Sequence, residues 1–276
     1  MIVESASVVW QLEVKGFAVL PGFLAAATLG DLKSEFAELD LIQARKDDTL
    51  SVYREVHFSR CGTAIGLLAD GGMLRVLRQV LGERLICTAS SYARYGPGYP
   101  GMPLHTDCQP YGSKLFGPLA SVPVSLRVFY YLDELTATRC PLRVVPSSHL
   151  CLHQECNPYR RFSSHPEELA LTGVAGTAIV INPKVFHGVG PNRTAEPRSV
   201  YTAAYRPEWA GPARRVPRYD RAKVSSLPQP VRQLFQPPNR RVCNPRMPVE
   251  DRGDNVPPLG PARWSSPGGA GEEIQE

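Results

Sequence analysis

A histidine and a carboxylate one residue apart, His105-Thr106-Asp107, follow a Gly/Pro-rich loop that runs from Gly96 to Pro103. On an extended strand that spacing aims both side chains at one face, so a single strand can offer an imidazole nitrogen and a carboxylate oxygen to the same metal ion. A third ligand has to come from elsewhere in the chain. His187 is the best candidate, because it follows the apolar, strand-like run Thr177-Ala178-Ile179-Val180-Ile181 and precedes the turn Gly190-Pro191. Two histidines and one carboxylate with open coordination positions form the ligand set of non-heme Fe(II) oxygenases. An isolated His-x-Asp carries little weight, since such tripeptides arise by chance.

Further residues raise that weight. His105-Thr106-Asp107, the segment Cys140-Pro141-Leu142-Arg143-Val144-Val145-Pro146-Ser147-Ser148-His149, and His187 followed by Gly188-Val189-Gly190-Pro191-Asn192 and Arg198 together resemble the phytanoyl-CoA dioxygenase family. The similarity begins near Lys15-Gly16-Phe17 and continues to about Trp209. Two departures stand out. The family has Asn-Gly where this chain has Arg139-Cys140, and Pro-Gly-Ser-His where it has Pro146-Ser147-Ser148-His149.

The resemblance implies a mainly β, double-stranded β-helix (a jelly roll or cupin-like barrel) that uses Fe(II), O2 and 2-oxoglutarate and releases succinate and CO2. It assigns His105, Asp107 and His187 to the metal and places a cosubstrate-binding arginine at Arg198. A guanidinium fork matches a carboxylate bidentately, so arginine suits that task. Arg193 is nearer His187 but lies in a turn, and is the rival clamp. By similarity Thr106 and Phe129 also border the cosubstrate. For Arg127 two readings compete, an inward charge that binds a polar substrate or an outward member of an alternating strand. The presence of Asp107 argues against a halogenase, in which a small residue replaces the carboxylate. A non-catalytic metal- or ligand-binding barrel is the alternative function, and the intact trio with Arg198 argues against it.

These residues need a scaffold, and the periodicities supply one. Phe17 to Leu20 reads as a strand closed by Pro21-Gly22. Leu29, Leu32, Phe36 and Leu39 recur at helical spacing, with Thr28 as the expected cap and Asp31 in its first turn. A second helical pattern from Thr63 to Leu81 is broken at Asp70-Gly71-Gly72 and stopped by Gly82. These N-terminal helices should buttress a barrel. Leu85 to Tyr95, Val122 to Leu132, Leu142 to Val145, Thr177 to Ile181, Val185 to Val189 and Arg198 to Tyr205 read as its strands, and Gln109 to Ala120 as a lid beside the first two ligands.

The chain has 276 residues, 43% of them hydrophobic, which suffices for one substantial core. The expected organisation is an oxygenase domain over 1–210, a Pro/Arg-rich extension over 211–249 partly packed on it, with one helical turn between Val231 and Phe235, and a disordered tail over 250–276. The net charge of +5, from 31 Lys+Arg against 26 Asp+Glu, forms no continuous basic face and implies no nucleic-acid partner. No apolar run is long enough to span a bilayer, and the N-terminus does not read as a secretion signal. Seven cysteines without a regular framework fit a reducing cytoplasm. His149, Cys151, His153 and Cys156 lack the paired spacing of a zinc site. With His57 and His165, they are read as ordinary polar residues. The expected partner is a small-molecule substrate, acted on by a monomer or homodimer.

Overall fold

A computed structural model describes residues 5–107, 125–150, 164–208 and 221–235. The Gln109–Ala120 lid, His153 and the tail from residue 250 lie outside them. In chain order the elements are α1 (Ser5–Val14), β1 (Phe17–Leu20), α2 (Ala26–Ala37), β2 (Ile42–Gln43), β3 (Leu50–Arg54), α3 (Gly62–Leu67), α4 (Gly71–Leu81), β4 (Leu85–Tyr95), β5 (Met102–His105), β6 (Leu126–Tyr131), β7 (Leu142–Val145), β8 (Leu169–Leu171), β9 (Ala178–Ile181), β10 (Phe186–Val189), β11 (Arg198–Pro207), α5 (Arg221–Ser225) and α6 (Gln229–Arg232).

The strands form two antiparallel sheets, one of seven strands in the order β1-β9-β6-β11-β4-β3-β2 and one of four in the order β5-β10-β7-β8. Alternation then divides the large sheet into two faces. Leu126, Val128 and Tyr130 of β6 and Tyr201, Ala203 and Tyr205 of β11 pack against Leu32, Phe36, Leu68 and Leu77 of the helical layer. Tyr131, Val200, Ile179, Ile181 and Tyr95 instead meet Leu142, Val144 and Val189 of the small sheet. The fold is the jelly roll expected, with helices covering one outer face.

The break at Asp70 is a true helix boundary, because its side chain accepts a hydrogen bond from the Met73 amide at 2.8 Å and starts α4. Two local expectations need correction. Helix α2 begins at Ala26, with Ala25 as its uncapped N-terminal neighbour, so Thr28 lies inside the helix and Asp31 beyond its first turn. Its start follows a tertiary contact: the Leu24 amide donates to Gly176 O at 2.9 Å, and the chain leaves that anchor already turning. Strand β5 ends at His105, which leaves Asp107 in a bend beyond it.

The two departures from the family's pattern each put a side chain where the backbone is left-handed. Cys140 has φ 48° and Ser147 φ 60°, both in the left-handed region that glycine occupies at least cost. Ser147 is held there by its Oγ, which donates to Val14 O at 2.7 Å, and by its amide, which donates to Lys15 O at 2.9 Å.

Candidate metal centre

Strand β10 lies between β5 and β7, and its register sets His187 directly opposite His105. Gly188 permits this approach: a Cβ there would sit 2.6 Å from Met102 O and 3.0 Å from Pro103 O. His105 Nδ1 is 2.9 Å from Pro103 O, and His187 Nδ1 is 2.9 Å from Val185 O. A carbonyl can only accept, so Nδ1 carries the proton in each ring and Nε2 is left with its lone pair. The ring centroids are 4.5 Å apart.

Asp107 completes the group from its bend, pinned by its amide, which donates to Pro183 O at 2.9 Å. Its Oδ1 is 3.5 Å from His105 Nε2 and its Oδ2 3.6 Å from His187 Nε2. Burial alone would raise this carboxyl. With the rings protonated, the two imidazoles as donors, with the charges of His187 and Arg127, outweigh burial and hold it well below the usual carboxylate range. When both rings are neutral, however, two nitrogen lone pairs face a carboxylate with no proton between them. That arrangement is unfavourable unless a cation sits at the centre, and the three candidate ligand atoms all lie within 4.8 Å of one another. The donor set therefore fits a divalent metal of the Fe(II) type.

Strand β6 brings a residue whose orientation was open. Arg127 points inward, its Nη1 2.9 Å from Asp107 Oδ2. The approach is close but off the donor axis, so that buried oxygen accepts no aligned hydrogen bond. Phe129 shares this face, partly buried against the inter-sheet core, and lies 6.3 Å from the Tyr131 ring. Thr106 is buried between the first two ligands.

Arg198 forms a second polar centre, at the start of β11 and only 1% exposed. Its guanidinium lies 4.2 Å from the Tyr95 ring centroid and 5.1 Å from that of Tyr131, and Nη2 donates to Cys140 O at 2.9 Å. Its Nε is buried without a partner, and among the described residues no carboxylate pairs with it. An isolated buried cation is costly, so an anion beside this guanidinium would be stabilised. Burial pushes the Cys140 thiol up to about 11 although Arg198 and Arg139 oppose it, which makes Cys140 an inert wall.

Asn192 aligns the turn that delivers Arg198. Its amide donates to Tyr95 O, Gly96 O and Glu196 O at 3.3, 3.1 and 2.8 Å, and its Oδ1 accepts from the Thr194 amide at 3.1 Å. Arg193, the rival clamp, is exposed, with its amide bound to Thr138 O at 2.8 Å.

The remaining described histidines serve structure. His149 Nε2 is 2.9 Å from Glu13 O, His57 Nδ1 is 2.7 Å from Ser90 Oγ, and His165 Nδ1 accepts from the Glu167 amide at 3.1 Å. The sequence reading missed Tyr95 and Tyr131 as walls of the Arg198 pocket. Tyr131 was within reach, two residues past Phe129 and so on its face, whereas Tyr95 required the β4–β11 register, in which it pairs with Arg198.

Residues 12–200 match the family model described as Phytanoyl-CoA dioxygenase (PhyH). Among solved structures, HygX from Streptomyces hygroscopicus, with nickel, 2-oxoglutarate and hygromycin B bound, is 18% identical with a TM-score of 0.62, covering 74% of this chain and 87% of its own. The non-heme alpha-ketoglutarate-dependent epimerase SnoN from nogalamycin biosynthesis is 16% identical, TM-score 0.61, over 74% of this chain and 81% of its own. The carbocyclase SnoK from the same biosynthesis is 15% identical, TM-score 0.58, over 73% and 83%. At these identities the structural likeness speaks to the fold. No curated protein matches the chain.

Proposed function

The chain belongs to the phytanoyl-CoA dioxygenase family and is a 2-oxoglutarate-dependent non-heme iron enzyme, and from that premise we propose that His105, Asp107 and His187 hold its Fe(II) while Arg198 binds the far carboxylate of 2-oxoglutarate. The observation that carries this reading is the pairing of two unsatisfied centres between the sheets. One is a cluster of two imidazole Nε2 lone pairs and a carboxylate, the other a buried guanidinium with no carboxylate beside it among the described residues. A divalent metal together with a dicarboxylate that chelates it would suit both centres at once.

Bound there, iron with 2-oxoglutarate and O2 supplies the oxidising power, with succinate and CO2 as coproducts. The chain's own residues orient and shield. Backbone carbonyls fix both imidazole tautomers so that Nε2 faces the centre. Tyr95 and Tyr131 sandwich the Arg198 guanidinium and keep water from the cosubstrate carboxylate. Phe129 and Thr106 form further wall. Asp107 occupies the position a halide would need, which supports oxygen insertion, desaturation or ring formation.

For the substrate we propose a natural-product intermediate, in the sugar-bearing class or a free small acid. The support is the similarity to enzymes whose names place them in nogalamycin biosynthesis or in complex with hygromycin B. We also take residues 1–210 as the oxygenase unit, working in a reducing cytoplasm as a monomer or homodimer. The buried free thiols of Cys61, Cys87 and Cys140 support that compartment. The test is release of succinate from 2-oxoglutarate by the Fe(II)-loaded protein against a panel of natural-product intermediates. Succinate formed in step with one oxidised product is expected. Binding of 2-oxoglutarate without turnover on any substrate would favour the non-catalytic barrel, and no binding at all would overturn the assignment.

A further inference from the structure

The two polar centres contain one carboxylate, Asp107, and two guanidinium groups, Arg127 and Arg198. Asp107 is the counter-ion of Arg127, at 2.9 Å. A guanidinium does not give up its charge, so this balance changes as soon as the carboxylate is shared with a divalent metal. Together, one carboxylate, two guanidiniums, a divalent metal and a 2-oxoglutarate dianion leave one positive charge in excess. Arg198 takes the cosubstrate's far carboxylate in the reading on which this rests. The excess therefore falls on Arg127, whose partner has been drawn to the metal.

Nothing beside Arg127 on its strand neighbours can replace that partner. In register it lies between Ile181 of β9 and Ala204 of β11, neither of which has a side-chain acceptor. Its side chain is 34% exposed, against 4% for His187 and 18% for Asp107, so it is the most accessible of the three. A planar fork of five donors beside the residues that would hold the metal is suited to a carboxylate or phosphate group. We propose that the loaded site takes an anionic substrate and that Arg127 is the specificity-determining residue that binds its carboxylate or phosphate.

The test is calorimetry on protein loaded with redox-inert Ni(II) and saturated with 2-oxoglutarate. Inorganic phosphate, galacturonate and the neutral sugar galactose are titrated in turn, and the two anions separate a phosphate from a carboxylate partner. Loaded wild type should bind one of the anions, more tightly than galactose and more tightly than metal-free protein does, because only the loaded state releases Arg127 from Asp107. R127Q should weaken that anion by about tenfold or more while Ni(II) and 2-oxoglutarate still bind, and R127K should retain part of the affinity through charge without the fork. Should R127Q not fold, R127K against wild type gives the same comparison. Undiminished anion binding in the variant would place the anion on the metal and overturn the proposal. So would loss of 2-oxoglutarate in place of the anion, or binding of neither anion by loaded wild type. Failure of wild type to bind Ni(II) or 2-oxoglutarate would instead sink the oxygenase site itself, and the two failures are read in separate titrations.

Discussion

The two faces of the seven-stranded sheet are made by the same strands and differ in kind. Toward the helices, Tyr201 and Tyr205 donate their hydroxyls to Ala64 O at 3.1 Å and Leu68 O at 2.9 Å, which ties the sheet to α3 and the residue after it. Toward the small sheet, the alternate residues are Arg127, Phe129 and Tyr131 on β6 and Arg198 on β11, and the buried Arg198 Nε is left unmatched. The comparison separates stability from chemistry by a single residue of register. On the helical face the Tyr201 and Tyr205 hydroxyls are matched by backbone carbonyls and that of Tyr130 is not, whereas the inner face buries a charged group, Arg198, with one nitrogen unpartnered.

If that division holds, substitutions on the two faces should have non-overlapping effects. The largest is at the metal. His187→Ala should abolish succinate formation and stoichiometric Fe(II) binding while the melting temperature, measured on metal-free protein, changes little; retained turnover would rule out this ligand. Next comes Arg198→Ala, which removes the cation from a buried charge-assisted pair and should weaken 2-oxoglutarate by about 2–5 kcal/mol, with Fe(II) binding intact. Arg193→Ala is the matched control and should leave calorimetric 2-oxoglutarate affinity unchanged.

Two buried histidines away from the metal centre give stability a pH dependence. Burial lowers the His57 imidazole from 6.5 to about 4, and burial lowers His149 as well. Below the unfolded value the unfolded chain takes up a proton that the folded chain refuses. Stability should therefore be full above about pH 6.5 and fall as pH drops toward about 4, by about 2–3 kcal/mol for His57. Denaturant melts of wild type and His57→Gln across that window check this, and an equal slope in the variant would clear His57. The smallest effects form a pair of opposite sign. Tyr205→Phe should cost about 1 kcal/mol by leaving Leu68 O unmatched, whereas Tyr130→Phe should be neutral or stabilising by about 1 kcal/mol, since the buried Tyr130 hydroxyl has no partner to lose. Neither should alter 2-oxoglutarate affinity; a shift in either case would show that the faces communicate.

Much of this was legible along the chain. The strands at Leu85–Tyr95 and Leu142–Val145 coincide with the periods read from the sequence, and the helix break at Asp70 follows from its capping chemistry. The α2 boundary was not legible, because a contact with Gly176 far along the chain sets it. Strands β2, β3 and β8 also went unread. They are short and half-buried or exposed along most of their length, so they lack the alternation that marks a strand with one covered face.

By itself the sequence determined the candidate ligand types, their order and the presence of Arg198, because donor chemistry is a property of the side chain and family motifs keep its spacing. It left Arg127 between two faces, since a period of two shows that alternate residues diverge but not which set is covered. Only the tertiary structure decided that. Pairing of β6 between β9 and β11 turned Arg127 toward Asp107, and pairing of β4 with β11 set Tyr95 against Arg198. Both outcomes depend on hydrogen bonds between strands far apart in the chain, and a local pattern holds no record of its distant partner.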